Sequence, residues 1–203
     1  MNIDLNFIFN DIREQIEQDD ILREKIIKLS RQSIRKCSES IRATHRREVE
    51  NSATLLTEVK DLINQINSNI PESRLFENNA STAYQEFVEA LLLHHFVFSK
   101  EELPIIPFKD VSPQISYVAY LHGLCDLVGE LRRYILDSIR LDEINEGERA
   151  LNLMDEIFSQ LVTLDYPNAL VPGIRRKTDL IRSLLEKSRG DLTLNYQLKK
   201  LDN

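Results

Sequence analysis

Apolar residues recur every three or four positions through most of this chain, and only 5 Gly and 6 Pro interrupt the pattern over 203 residues. So few turn formers, with that spacing, restrict the chain to long amphipathic helices. Leu5, Ile8, Ile12 and Ile16 form one stripe, and Leu22, Ile26, Leu29, Ile34, Cys37 and Ile41 a second, with Asp19 and Asp20 between them as a kink or a cap. From about Glu48 to Ile66 a third helix is expected, ended by Ser68-Asn69-Ile70-Pro71, and a fourth from about Glu72 to Ser99. Pro104 and Pro107 mark Glu102 to Ser112 as a loop. Ser112 before Pro113 has the form of a helix start, hydroxyl at the cap and proline in the first turn. That helix should reach about Arg140. Ile144 to Leu164 and Ile174 to Ser188 add two more around a loop from Asp165 to Pro172, with Gly190 suited to the last end and Asp191 to Leu201 adding a turn or two. No segment alternates like a strand and no repeat recurs at a fixed period. The expectation is an all-α, single-domain bundle of about seven helices over residues 1–203.

Composition narrows the function classes. No apolar run approaches the ~20 residues that cross a bilayer, and the first residues carry Asp4 and Asp11 rather than a basic stretch, so a soluble, cytoplasmic protein with no membrane role is expected. Cys37 and Cys125 lie far apart within helical patterns and read as buried, reduced thiols. A formal net charge of −7 argues against a nucleic-acid partner unless the basic residues are segregated from the acidic ones.

Two acidic words stand out. In the fourth predicted helix Glu86 and Glu89 are three apart, and in the fifth Asp126 and Glu130 are four apart among Leu, Val and Cys, so each pair shares a helix face. Ionised carboxylates beside apolar neighbours need a positive partner. If the two helices pack side by side, the four acids form an all-oxygen site suited to Mg²⁺ or Mn²⁺, which could lower the pKa of a bound water and neutralise a phosphodiester. Pairing with Arg132, Arg133 or other cations is the alternative. A di-iron carboxylate bundle would need Glu-x-x-His pairs, which are missing near either word, although His122 stands four residues before Asp126. His94 and His95 are adjacent and cannot both serve one face.

At these residues the sequence resembles the translin family, and within it the Trax branch. Glu86-Phe87-Val88-Glu89-Ala90 is similar to the Glu-Tyr-Val-Glu-Ala stretch of Trax proteins, with His95-Phe96 where they carry His-Phe. Tyr120-Leu121-His122-Gly123-Leu124-Cys125-Asp126-Leu127-Val128-Gly129-Glu130-Leu131-Arg132-Arg133 resembles their Tyr-Leu-x-Gly-x-x-Asp-Leu-x-Gly-Glu-Leu-x-Arg block, and Ser138 matches the serine beyond it. Lys28-Leu29-Ser30-Arg31 and Lys187-Ser188-Arg189-Gly190 extend the likeness over most of the chain. His122 departs from the apolar residue usual there.

The resemblance implies an all-helical bundle assembling into a closed, barrel-like oligomer, and Mg²⁺-dependent cutting of RNA by Glu86, Glu89, Asp126 and Glu130 as both metal ligands and catalytic residues. It implies a homo-oligomer, with a translin-like partner subunit as an alternative. Translin itself, with an apolar residue where Asp126 stands, implies the competing reading of a non-catalytic shell that binds single-stranded RNA or DNA. Phosphate contacts are expected from Arg132 and Arg133 beside the acids and from Arg35, Lys36, Arg46 and Arg47; Arg31, Arg42, Arg175, Arg176 and Lys177 are further candidates. RNA, chiefly single-stranded with duplex also open, is the expected partner. With 7% aromatic residues and no tryptophan, weak sequence preference follows.

Overall fold

Residues 5–70, 76–99, 101, 104–112 and 114–201 are described by the computed structural model. They form α1 (Leu5–His45), α2 (Val49–Asn69), α3 (Glu77–Phe98), α4 (Phe108–Val111), α5 (Tyr117–Arg140), α6 (Ile144–Val162) and α7 (Ile174–Leu201), with no strand among the described residues. The all-α expectation holds. The number of helices also agrees, but their limits differ in four places. The expected break at Asp19 and Asp20 is absent, because Gln15 donates to Asp19 at 3.2 Å and Arg23 to Asp20 at 3.1 Å, side-chain pairs one turn apart that support a continuous helix. The expected loop holds the short α4. The cap of α5 is Ser116, whose hydroxyl accepts from the Ala119 amide at 3.2 Å, while Ser112 ends α4 and Pro113 lies outside the described residues. α7 runs through Gly190 to Leu201 rather than stopping there. The expected start near Glu72 also lies outside the described residues, and α3 begins at Glu77.

α1 packs on α2 and α3, α3 on α5, and α5 on α6 and α7, so the α3–α5 contact joins two helical layers. Ile63, Ile66, Leu92, Leu93, Phe96, Leu127, Leu131, Ile135 and Met154 are fully buried in one apolar core. Burial of each such side chain stabilises the fold by roughly 1.5–3 kcal/mol before entropy is counted. At the end of α3, Arg149 of α6 donates to the Phe96 carbonyl at 3.1 Å and stacks over the Phe96 ring at 4.1 Å, satisfying a C-terminal carbonyl and locking the layers.

The α3–α5 seam sets the site. A methyl group at Gly123 would lie 2.7 Å from the Gln85 carbonyl oxygen and equally close to Val88, so only glycine permits this approach. Asp126 follows less than one turn later on α5. Gly173, before α7, has φ +73° and needs glycine for a different reason, since side chains rarely adopt that conformation. No helix among the described residues is long and apolar enough to cross a membrane.

Candidate active site

Glu86 and Glu89 of α3 meet Asp126 and Glu130 of α5 around a single cleft of about 620 Å³. Ser38, Ile41 and Arg42 of α1, Cys125, Gly129 and Arg133 of α5 and Lys177 of α7 complete much of its wall. The spacing explains the meeting. On α5 the buried Leu127, Val128, Leu131 and Ile135 turn inward, which leaves positions 126, 130 and 133 along the border of the same helix, facing α3 and α7.

The two pairs sit in different surroundings. Asp126 accepts from Gln85 Nε2 and from Lys177 Nζ, the latter at 2.5 Å. Glu130 lies 2.5 Å from His45 Nε2, and Arg133 reaches it at 3.7 Å. The side chain of His45, the last residue of α1, is 4% exposed, and its Nδ1 is buried with no partner. Glu86 and Glu89 have no hydrogen bond or ion pair among the described residues. Glu89 is only 8% exposed, and its carboxyl is pushed up to about 8, first by burial and then by Glu86, Asp126 and Glu130, with Lys177 pulling the other way. Glu86 is also raised, first by burial and then by Asp126. Burial likewise drives the Cys125 thiol up to about 12, so it is not a nucleophile at neutral pH. Both cysteines are buried and free, as expected.

Of the six expected phosphate contacts, only Arg133 lines this cleft. Arg132 turns to α7, donating to Asp191 at 2.8 Å and Ser188 at 3.1 Å. Lys36 pairs with Glu58, Arg46 with Glu48 at 2.6 Å and Arg47 with Glu143 at 2.9 Å, while Arg35 is exposed and reaches Glu39 at 3.9 Å. His122 does not line the acidic cleft. Its Nε2 lies 2.9 Å from the Pro172 carbonyl, in a separate cavity. His94 meets Ser52 at 2.8 Å and His95 meets Glu101 at 3.4 Å, so neither joins the site.

Sequence reasoning missed His45 and Gln85 altogether and gave Lys177 no special place. A helix-terminal histidine 85 positions before its carboxylate has no signature in spacing; Gln85, next to Glu86, could have been noticed only once the α5 neighbour was known. The donor set is all oxygen and one buried carboxyl is unpartnered, which fits a hard divalent cation. No three His, Cys, Asp or Glu side chains among the described residues are already drawn together as a ligand set, so binding would require carboxylate rotation.

A family model described as Translin family matches residues 21–189. An uncharacterized protein of Methanocaldococcus jannaschii is 35% identical over 201 residues, covering 98% of this chain and 85% of that protein. The solved complex of AfC3PO with duplex RNA has a TM-score of 0.84 and 25% identity, covering 96% of this chain and 99% of that one. Apo-NeC3PO, at 17% identity and TM-score 0.84 over 96% of this chain and 100% of its own, shows the likeness of fold alone.

Proposed function

The chain belongs to the translin family, and from that premise we propose that it is a Trax-like, Mg²⁺-dependent endoribonuclease acting on RNA within a closed homo-oligomer. The observation that carries this reading is the convergence of Glu86, Glu89, Asp126 and Glu130 on one cleft. Their completeness favours the Trax-like branch. That AfC3PO was solved with duplex RNA supports RNA, duplex or single-stranded, as the partner. Exposed Phe7, Phe9, Ile12, Ile16 and Ile21 on the first half of α1 support association of copies.

Glu86, Glu89, Asp126 and Glu130 would hold Mg²⁺, or Mn²⁺, whose chemistry here is to neutralise phosphodiester charge and lower the pKa of a coordinated water. The protein's own groups prepare the site. Gln85 and Lys177 orient Asp126, and His45 orients Glu130, so half of the donor set is held in place in advance. Burial pushes the Glu89 carboxyl up to about 8, so its ionisation would be favoured by a cation held in the cleft. Arg133 and Arg42 line the same cleft and would meet substrate phosphates there. No protein nucleophile is required.

A non-catalytic RNA-binding shell is the second reading. It is favoured by the pairing of Asp126 and Glu130 with protein groups, which leaves less charge for a metal. The deciding experiment follows cleavage of a labelled RNA by protein of verified assembly state, with Mg²⁺, with EDTA, and as Glu89→Ala. Cutting should need the metal and fall at least ~100-fold in the variant. Cutting that resists EDTA or is equal in the variant would sink the assignment, and RNA binding with no cutting would leave the shell.

A further inference from the structure

Lys28, Arg31, Arg35 and Arg42 stand in one line on the outer side of α1. At ~100° per residue they fall within an arc of about 60°, and at ~1.5 Å per residue they span ~21 Å. That arc lies opposite Ile26, Ser33 and Cys37, the residues that bury α1 against the body. All four cations are exposed. Lys28, Arg31 and Arg42 have no ion-pair partner among the described residues, and Arg35 has only the 3.9 Å approach of Glu39.

The line also leads somewhere. Lys28, Arg31 and Arg35 border a surface groove of about 380 Å³ that Glu24 also lines, and Arg42 lines the acidic cleft itself, with the small polar Ser38 between them at the edge of the same arc. Upstream, the arc changes sign at Glu24 and Glu17. The remaining cations at this end of the helix are committed elsewhere: Lys36 to Glu58, Arg46 to Glu48 and Arg47 to Glu143. On a chain of net charge −7, a phosphate backbone needs a surface where cations outnumber acids, and this line, with Glu24 at its upstream end and Glu39 beside Arg35, is such a surface.

We infer that Lys28, Arg31, Arg35 and Arg42 form a track that takes the backbone of the RNA substrate and delivers a phosphodiester to the acidic cleft. The inference rests on the ribonuclease reading and adds the path of the substrate to it. Contacts of this kind position a strand and carry no base information.

The test is the salt dependence of RNA binding by the full chain. Three sets are compared: Lys28→Gln with Arg31→Gln and Arg35→Gln; the charge-keeping Lys28→Arg with Arg31→Lys and Arg35→Lys; and a charge-matched control, Lys60→Gln with Lys187→Gln and Lys200→Gln, off the line. Arg42 is left intact because it lines the cleft. Each phosphate contact with single-stranded RNA contributes a slope of about −0.7 in log K against log salt, so the first set should flatten the slope by about two units. The other two should keep it, with circular dichroism and assembly state unchanged in all three. Equal flattening by the control, or none by the first set, overturns the track while leaving the ribonuclease reading in place. Failure of the unaltered chain to bind RNA removes both.

Discussion

The two carboxylate pairs of the cleft each share a helix face, yet α5 presents a partnered pair and α3 an unpartnered one. Asp126 and Glu130 are met by Lys177, Gln85, His45 and Arg133, whereas Glu86 and Glu89 have no hydrogen bond or ion pair among the described residues and feel each other, the α5 acids and, as the one opposing charge, Lys177. Sequence spacing places carboxylates on a face, but the elements packed against that face decide their charge. The α5 pair is built to be held still. The α3 pair, with Glu89 nearly enclosed, is where the protein stores electrostatic cost that an incoming cation would relieve.

The largest expected effect comes from removing that cost. Glu89 has a raised carboxyl, so its favourable contribution is complete below the unfolded value of about 4.5 and is lost as pH rises through about 8. Without divalent metal, Glu89→Gln should therefore melt higher than the unaltered protein at pH 8, by on the order of 3 kcal/mol, with the gap closing towards pH 4.5. Thermal melts across that range, in EDTA, measure it. A constant gap, or none, would mean that the α3 pair is not strained.

Gly123→Ala breaks the juxtaposition itself. The added methyl meets the backbone of α3 at 2.7 Å, and overpacking of this kind costs about 1–3 kcal/mol. Denaturant unfolding should show that loss, and RNA cleavage should fall with it. Gly129→Ala, on the same helix with open space around it, is the matched control and should change stability little beyond its helix propensity.

The smallest effect sharpens the contrast from the other side. Lys177→Met leaves Asp126 with Gln85 alone and brings the α5 pair closer to the condition of the α3 pair. The ion pair is partly open to solvent, which limits the loss to about 1 kcal/mol without metal. Mg²⁺ should then raise the melting temperature of the variant more than that of the unaltered protein. An equal Mg²⁺ response in both would show that Lys177 does not compete for the cleft.

Much was legible beforehand. Stripes such as Leu56, Val59, Ile63 and Ile66 place the helices because burial follows the 3.6-residue period, and the same period puts Glu86 with Glu89 and Asp126 with Glu130. The limits of the helices were less so, since Gly190 and the Asp19–Asp20 pair are tolerated inside long helices that local signals would have divided. Sequence alone thus determined an all-helical chain with two acidic faces and a set of candidate phosphate-binding cations, several of them in its second predicted helix. Only the tertiary structure decided that Gly123 brings the acidic faces together, that Lys177 and His45 arrive from 51 and 85 positions away to hold one pair, and that the other pair is left alone. The physical reason is range: helix periodicity acts within a few turns, whereas desolvation and charge pairing depend on every element that closes over a group, however distant in the chain.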